Sequence, residues 1–208
     1  MSYLINLALE DRTALVVGAG NVARRKVEGL LQAGARVCVV APQACAEIQG
    51  WAAAGKVAWL REPYRREHLE GAVVVIAATG DEGVNARVAE DAREMGILVN
   101  VVDRPGLCTF TVPATVRRGD LILAAATGGR CPALASAVRE ELESEYGPEY
   151  AEVVALLGRL REQMLAAGWE GFRIRQTLIS LYRAGLPELM AAGDQEGIQR
   201  LVAAFTGL

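Results

Sequence analysis

The chain has 208 residues, 52% hydrophobic and 23% charged, with a formal net charge of −3. That composition excludes a disordered chain and leaves room for one ordinary domain and a smaller one. There is no basic excess, so no nucleic-acid surface is expected, although net charge does not say where single cations sit. The four cysteines, Cys38, Cys45, Cys108 and Cys131, show no CxxC spacing, and the only histidine is His68. No metal cage is expected, and the thiols are read as reduced and mostly structural. Met1 to Asp11 lacks the basic start and apolar core of a secretion signal, and the longest apolar runs, such as Ala72 to Ala78, are strand-sized. The expectation is a cytoplasmic protein with no membrane span.

Thr13 to Gly18 is apolar and rich in β-branched residues, which predicts a first strand. Val22 to Gly34 follows with Val22, Val27, Leu30 and Leu31 at helical spacing. Arg36 to Val40 is a second strand, and Trp59 and Leu60 begin or flank a third. Val73 to Ala77 is a fourth, Asn85 to Met95 a helix, and Ile97 to Val102 a fifth strand. His68 falls in a charged stretch, Arg65 to Leu69, read as an exposed helix. Continuous apolar strands separated by helices predict a doubly wound parallel sheet, covered on both faces, with ligands beyond its carboxyl edge.

After Pro113 the pattern changes. Leu121 to Ala125 is a strand that follows a turn at Arg118-Gly119-Asp120. Gly128-Gly129 leads to Pro132, which suits a first helical position because it has no N–H to leave unpaired. Ala133 to Tyr146 is helical, and Gly147-Pro148 ends it. From Glu149 the chain reads as helix, with breaks at Gly168 to Gly171, Leu186-Pro187 and Gly193-Asp194. The predicted divisions are 1–112, 113–147 and 148–208.

Gly18-Ala19-Gly20-Asn21-Val22-Ala23 is a GxGxxA run between the first strand and the first helix. In that place the pattern marks a dinucleotide cradle of the Rossmann type. Gly18 makes the tight turn, Gly20 lets backbone approach a pyrophosphate, Ala23 keeps helix against strand, and the amides near Asn21 and Val22 face the anion. The second strand ends Val40-Ala41-Pro42-Gln43, without the acidic residue that takes the ribose hydroxyls or an arginine for a 2′-phosphate. Gln43 or backbone near Pro42 is left for the ribose, and the residues do not choose between NAD and NADP. Arg24, Arg25 and Lys26 sit in the helix's first turns, where each cation opposes the helix dipole at a cost of about 0.3–1 kcal/mol. They are either solvated or contacts for phosphate or carboxylate.

Asn100-Val101-Val102-Asp103 closes the fifth strand and sets Asp103 at the sheet's carboxyl edge, where a nicotinamide ring would lie. Cys108-Thr109-Phe110-Thr111-Val112-Pro113-Ala114 follows, then Thr127-Gly128-Gly129-Arg130-Cys131-Pro132. The ordered set GAGNVARRK, VIAAT with a following Asn85, NVVD, CTFTVPA and TGGxxP resembles the precorrin-2 dehydrogenases, the N-terminal module of siroheme synthase, some of which are also ferrochelatases. The resemblance is close over about residues 1 to 150 and looser beyond. It implies a Rossmann domain, a small α+β dimerisation region after it, a helical C-terminal part and NAD as cofactor. It implies Asp103 as the catalytic aspartate, and cofactor contacts at Asn21, Val22, Pro42 and Gln43 beside Gly18 and Gly20, to which Thr79 at the end of VIAAT is added. Its TGG-like turn maps to Thr127, Gly128 and Gly129, and Thr127 and Gly128, with the neighbouring Arg130 and with Asn100 of NVVD, are taken as substrate-binding candidates. Two departures are mild: Thr127 where relatives often have serine, and Ala19 where glycine is commoner. A fused methyltransferase region is not among the 208 residues, so the substrate is expected from another protein.

The implied reaction is oxidation of precorrin-2, which must lose a hydride to the nicotinamide and a proton to a base. Asp103 is the only acidic residue between NVVD and PA, hence the candidate base. The substrate carries many carboxylates, and Arg104, Arg117, Arg118, Arg130 and Arg139 are candidate forks for them, Arg130 foremost. Expected partners are precorrin-2, a second copy of the chain in a homodimer and, as an open second activity, ferrous iron. The competing reading is a dimeric Rossmann nucleotide sensor without catalysis.

Overall fold

Five short apolar runs pair in parallel in the computed structural model, which describes residues 3–207. They are β1 (Thr13–Val17), β2 (Arg36–Val40), β3 (Val57–Leu60), β4 (Ala72–Ala77) and β5 (Leu98–Val101), in the spatial order β3-β2-β1-β4-β5. Helices α1 (Asn21–Gln32), α2 (Ala46–Ala53) and α3 (Glu82–Glu94) supply crossovers. The order reverses between β1 and β4, and at such a point the connections leave toward opposite sides and open a crevice at the carboxyl ends. The register aligns those ends: Val17 pairs with Val40 on one side and Ala77 on the other.

The period of two along each strand builds two cores. Ala14, Val16, Val37, Val39, Val74 and Ile76 pack on one face with Ala23, Val27 and Leu30 of α1 and Ile48 of α2. Leu15, Val17, Val75, Ala77, Val99 and Val101 pack on the other with Val88, Ala89 and Ala92 of α3. Burial on both faces explains why the strands read as continuous apolar runs rather than alternating ones.

Some elements differ from the sequence reading. Trp59 and Leu60 close β3 rather than open it, and the Trp59 indole N–H donates to the Ala41 carbonyl at 2.9 Å. Helix α2 was not read from sequence because it buries only Ile48. His68 lies in a short 3-10 turn, Arg66–Leu69, and its side chain is only 7% exposed. The ring is drawn in by local bonds: the Arg65 amide donates to Nδ1 at 3.0 Å, and Nε2 stands 2.9 Å from Glu62. This segment is tied to α3 by the Tyr64 phenol, which donates to Asp91 at 2.9 Å, and by Arg66, which pairs with Asp91 and Glu94. Burial first, then the Asp91 bond, raises the Tyr64 pKa.

The chain divides into two units, Met1–Val112 and Pro113–Leu208. The second begins with an antiparallel hairpin, β6 (Ala114–Arg118) and β7 (Leu121–Ala125). β6 was not read from sequence, because Thr115, Arg117 and Arg118 interrupt it and only Val116 is buried. Helix α4 (Pro132–Glu145) packs on the hairpin. Helices α5 (Tyr150–Ala166), α6 (Gly171–Arg183), α7 (Leu186–Ala192) and α8 (Gln195–Thr206) bury Leu160, Met164, Ile174 and Leu181 in one cluster and Val153, Leu186 and Ile198 in another. Among the described residues, no helix is long and apolar enough to cross a membrane.

Gly18 shows how tightly the sheet's carboxyl edge is built. Its φ is +104°, and a Cβ there would sit 2.4 Å from the Ala78 carbonyl oxygen. Gly18→Ala combines a left-handed backbone penalty with a backbone clash, and should cost about 2–5 kcal/mol. Urea unfolding followed by circular dichroism should show the loss as a lower midpoint; an unchanged midpoint would mean that the turn relaxes freely.

Candidate active site at the carboxyl edge of the parallel sheet

The turn from β1 to α1 is held from three sides. The Gly18 amide donates to Val40 at 2.9 Å, the Ala78 amide donates to Val17 at 2.8 Å, and the Cys45 amide donates to Ala19 at 2.9 Å. α1 then starts at Asn21 with Gly20 as its N-cap and no side chain capping it. The first amides of a helix have no intrahelical acceptor, and here no side chain competes for them, so the amides at Asn21 and Val22 suit an anion. A Cβ on Gly20 would meet nothing within 4 Å, so its missing side chain leaves open space beside those amides. Ala23 is fully buried against the sheet. These residues fit a dinucleotide pyrophosphate.

Two flanking loops complete the rim. After β2, Pro42 and Gln43 are exposed, in a loop fixed by the Ala41 amide to Leu60 at 3.1 Å and by Gln49 Nε2 to Ala44 at 2.7 Å. After β4, Thr79 is clamped by Asn85: the Thr79 amide donates to Asn85 Oδ1 at 3.2 Å, and Asn85 Nδ2 donates to the Thr79 carbonyl at 3.0 Å. The Thr79 hydroxyl lies 2.8 Å from Asn85 Oδ1. Asn85 is 7% exposed and stands on the buried face of α3 with Val88, Ala89 and Ala92. A polar residue at a core position of a helix was the signal for this clamp, which the motif reading passed over.

Beyond β5 the chain makes a turn and comes back. Asp103 lies in that turn, two residues past the end of the strand rather than closing it, with φ of 59°. The return segment is sewn to the sheet. Thr109 gives its amide to Val99 at 2.8 Å and takes the Val99 amide on its hydroxyl at 2.8 Å. Asn100 is buried and donates Nδ2 to the Phe110 carbonyl at 3.0 Å, and the Cys108 sulfur accepts the Val101 amide at 3.2 Å. CTF thus occupies the place of a sixth strand.

Loop, strand end and first helix enclose a cavity of about 290 Å³. Val22, Lys26, Asn100, Asp103, Arg104 and Cys108 are among its walls, so a cradle residue and the candidate base share one space. Arg104 pairs with Glu82. The Lys26 pKa is lowered, first by burial and then by the adjacent Arg25, with Asp103 and Cys108 acting the other way. A larger groove of about 490 Å³ lies along Glu28, Leu31 and Trp51, but none of the candidate residues lines it.

The remaining candidates belong to the second unit. Thr127, Gly128, Gly129 and Arg130 form a turn in which both glycines have positive φ. The Arg130 amide donates to the Thr127 carbonyl at 3.2 Å, and the Cys131 amide to the Thr127 hydroxyl at 3.1 Å. Arg130 and Arg117 are exposed, without an ion pair among the described residues. Arg118 and Arg139 are spent on structure. Arg118 donates to the Tyr146 and Glu143 carbonyls at 2.8 and 3.1 Å, closing the end of α4, and Arg139 pairs with Glu140 and Glu143. Among the described residues, no three His, Cys, Asp or Glu side chains are grouped to hold a metal ion.

The open space at Gly20 generates a test. Gly20→Asp should abolish dinucleotide binding, because side chain and charge enter the anion's place, while thermal stability stays near wild type because nothing is displaced. Calorimetric titration with NAD reads the first, and undiminished binding would remove the cradle.

Comparison with known proteins agrees with this geometry. Residues 5–114 match the family described as "Putative NAD(P)-binding". The chain is 43% identical over 169 residues to the siroheme synthase of Nitrosospira multiformis, covering 79% of this chain and 36% of the relative. It is 37% identical over 195 residues to that of Stutzerimonas stutzeri, covering 94% and 42%. The chain thus spans about two-fifths of these relatives' length. Among solved structures, SirC, precorrin-2 dehydrogenase, superposes with a TM-score of 0.78 at 30% identity, covering 96% of this chain and 98% of that one. At that identity over nearly the whole of both chains, the protein belongs to the precorrin-2 dehydrogenase family, with its NAD(P)-binding domain at residues 5–114.

Proposed function

We propose that the protein oxidises precorrin-2 to sirohydrochlorin, with NAD as hydride acceptor. The observation that carries this reading is that Val22 of the cradle and Asp103 line one cavity at the sheet's carboxyl edge. The substrate loses a hydride and a proton as its conjugation extends. NAD, held by the cradle, would supply the hydride acceptor and be reduced to NADH. Asp103 takes the proton on its carboxylate and passes it to water. Gly18 and Gly20 shape the cradle, the amides of Asn21 and Val22 hold the pyrophosphate, Pro42 and Gln43 take the ribose edge, and Thr79 offers backbone at the end of β4. Asn100 acts by holding the Phe110 carbonyl, which keeps the cavity wall in place. The Thr127 hydroxyl already accepts the Cys131 amide and keeps its own proton to donate, so it is assigned to the substrate with Gly128 and the guanidinium of Arg130.

The second unit supports a homodimer. α4 has 14 residues and buries only Ala135, β7 buries none, and Leu134 is 54% exposed. A two-stranded sheet with one helix is marginal alone, and a second copy would cover this apolar surface. The free thiols suit a reducing compartment, and we place the protein in the cytoplasm.

Asp103→Asn keeps size and tolerates the same left-handed backbone, but takes up no proton at neutral pH. It should bind NAD like wild type and lose dehydrogenation by about 10²–10⁴-fold, as for a positioned base. The absorption change on mixing precorrin-2 and NAD reads this, and near wild-type turnover would demote Asp103 to a turn residue. Ferrous iron added to the completed reaction reads whether the chain also inserts the metal. For assembly, sedimentation at micromolar concentration should give a dimer, and Leu134→Glu should shift it toward monomer. A monomeric wild type would overturn that proposal.

A further inference from the structure

Three cations follow one another at the start of α1, and the structure separates their fates. Arg24 stands 3.8 Å from Glu28 and 3.7 Å from Glu47, so its charge is balanced on the side toward α2. Arg25 and Lys26 line the cavity that holds Asp103, and no carboxylate among the described residues pairs with them. Val22 and Lys26 are four residues apart and so share a helix face, with Arg25 beside it. Three cations, Arg25, Lys26 and Arg104, thus meet one carboxylate, Asp103, in this cavity. Of the three, Arg104 alone has a carboxylate partner, Glu82. Two cations near a helix start oppose its dipole. They oppose each other as well, and burial lowers the Lys26 pKa further. Asp103 and Cys108 offset part of these costs, and an anion entering the cavity would offset more.

We propose that Arg25 and Lys26 receive a carboxylate of the tetrapyrrole and so seat its reacting carbon beside Asp103. This rests on the function proposed above. The cofactor pyrophosphate is the other anion at hand, but the amides at Asn21 and Val22 already suit it, and Lys26 lies a full turn further along α1. Seating the substrate through the first unit leaves the arginines of the hairpin and α4 a lesser part. It also explains why the only base in the cavity faces two cations. With one substrate carboxylate bound, that group and Asp103 together match the two positive charges of Arg25 and Lys26.

The test uses the full chain with Lys26→Met, Arg25→Gln, their double variant, and Lys26→Arg. Two ligands are titrated separately: NAD by calorimetry, and uroporphyrin by fluorescence quenching. Uroporphyrin is a stable tetrapyrrole with acetate and propionate side chains, and its methyl ester serves as the uncharged control. Loss of one charge-assisted contact should weaken uroporphyrin binding and raise KM for precorrin-2 by about tenfold or more in Lys26→Met. NAD affinity and kcat should stay near wild type, and Lys26→Arg should restore binding. The ester should bind wild type and variants alike. Unchanged uroporphyrin affinity in the double variant overturns the proposal, as does a loss of NAD affinity with KM intact, which would give the cations to the pyrophosphate. A fall in kcat with KM unchanged overturns it too. A wild type that binds uroporphyrin but never oxidises precorrin-2 overturns the proposed function, and the uroporphyrin affinities still decide this inference.

Discussion

A chain that simply left the sheet after Val101 would expose an edge of unpaired amides and carbonyls on β5. The return segment prevents this, and most of the candidate site depends on how it does so. Thr109 pairs with Val99 through both backbone and hydroxyl, Asn100 holds the Phe110 carbonyl, and the Cys108 sulfur takes the Val101 amide. Buried backbone groups left unmade are expensive, so each bond resists displacement. Their joint effect is to close the stretch between Val101 and Cys108 into a fixed loop. That loop carries Asp103, and its walls bound the cavity. Cys108 serves here as a small hydrogen-bonding plug.

The cradle is rigid for a complementary reason. The β1–α1 turn is squeezed against the end of β4 so closely that only glycine fits at position 18. The β4 loop cannot retreat, because Asn85 holds Thr79 by amide and carbonyl at once. Two independent fixings, one on each side of the topological switch point, therefore meet along α1. The helix begins at the cradle with bare amides and presents Lys26 to the Asp103 loop one turn later. Under the proposed function, one helix joins the binding of the cofactor to the place of proton transfer.

Much of this was legible in the chain. Continuous apolar strands announced a sheet buried on both faces, and the GxGxxA run sat between a strand and a helix where its glycines have a physical use. The motif order pointed to the family that the comparisons identify. What was illegible has particular causes. α2 buries a single side chain, so periodicity had nothing to show. β6 is half polar because its partner strand is its main support. His68 looked like a surface residue by its charged neighbours, yet Arg65 and Glu62 satisfy its ring locally and allow it to turn inward. Arg118 looked like a ligand for carboxylates and is a helix-end cap. For Arg118, spacing in sequence was a poor guide because the deciding partners lie more than twenty residues along the chain.

The backbone at Asp103 acts as a filter on chemistry. With φ of 59°, the position admits glycine, asparagine and aspartate with ease and longer side chains with strain. Of the two acidic residues, therefore, conformation alone favours the shorter, before proton transfer makes any demand. The same filter runs in the other direction over evolutionary time. Asparagine and glycine are each a single base change from aspartate, and both keep the loop, the edge pairing and the cradle. If Asp103 is the base proposed above, a lineage released from its chemistry would pass in one step to a nucleotide-binding protein of the same fold with little catalysis left. On that reading the enzyme and a sensor are adjacent in sequence space, separated by a carboxylate.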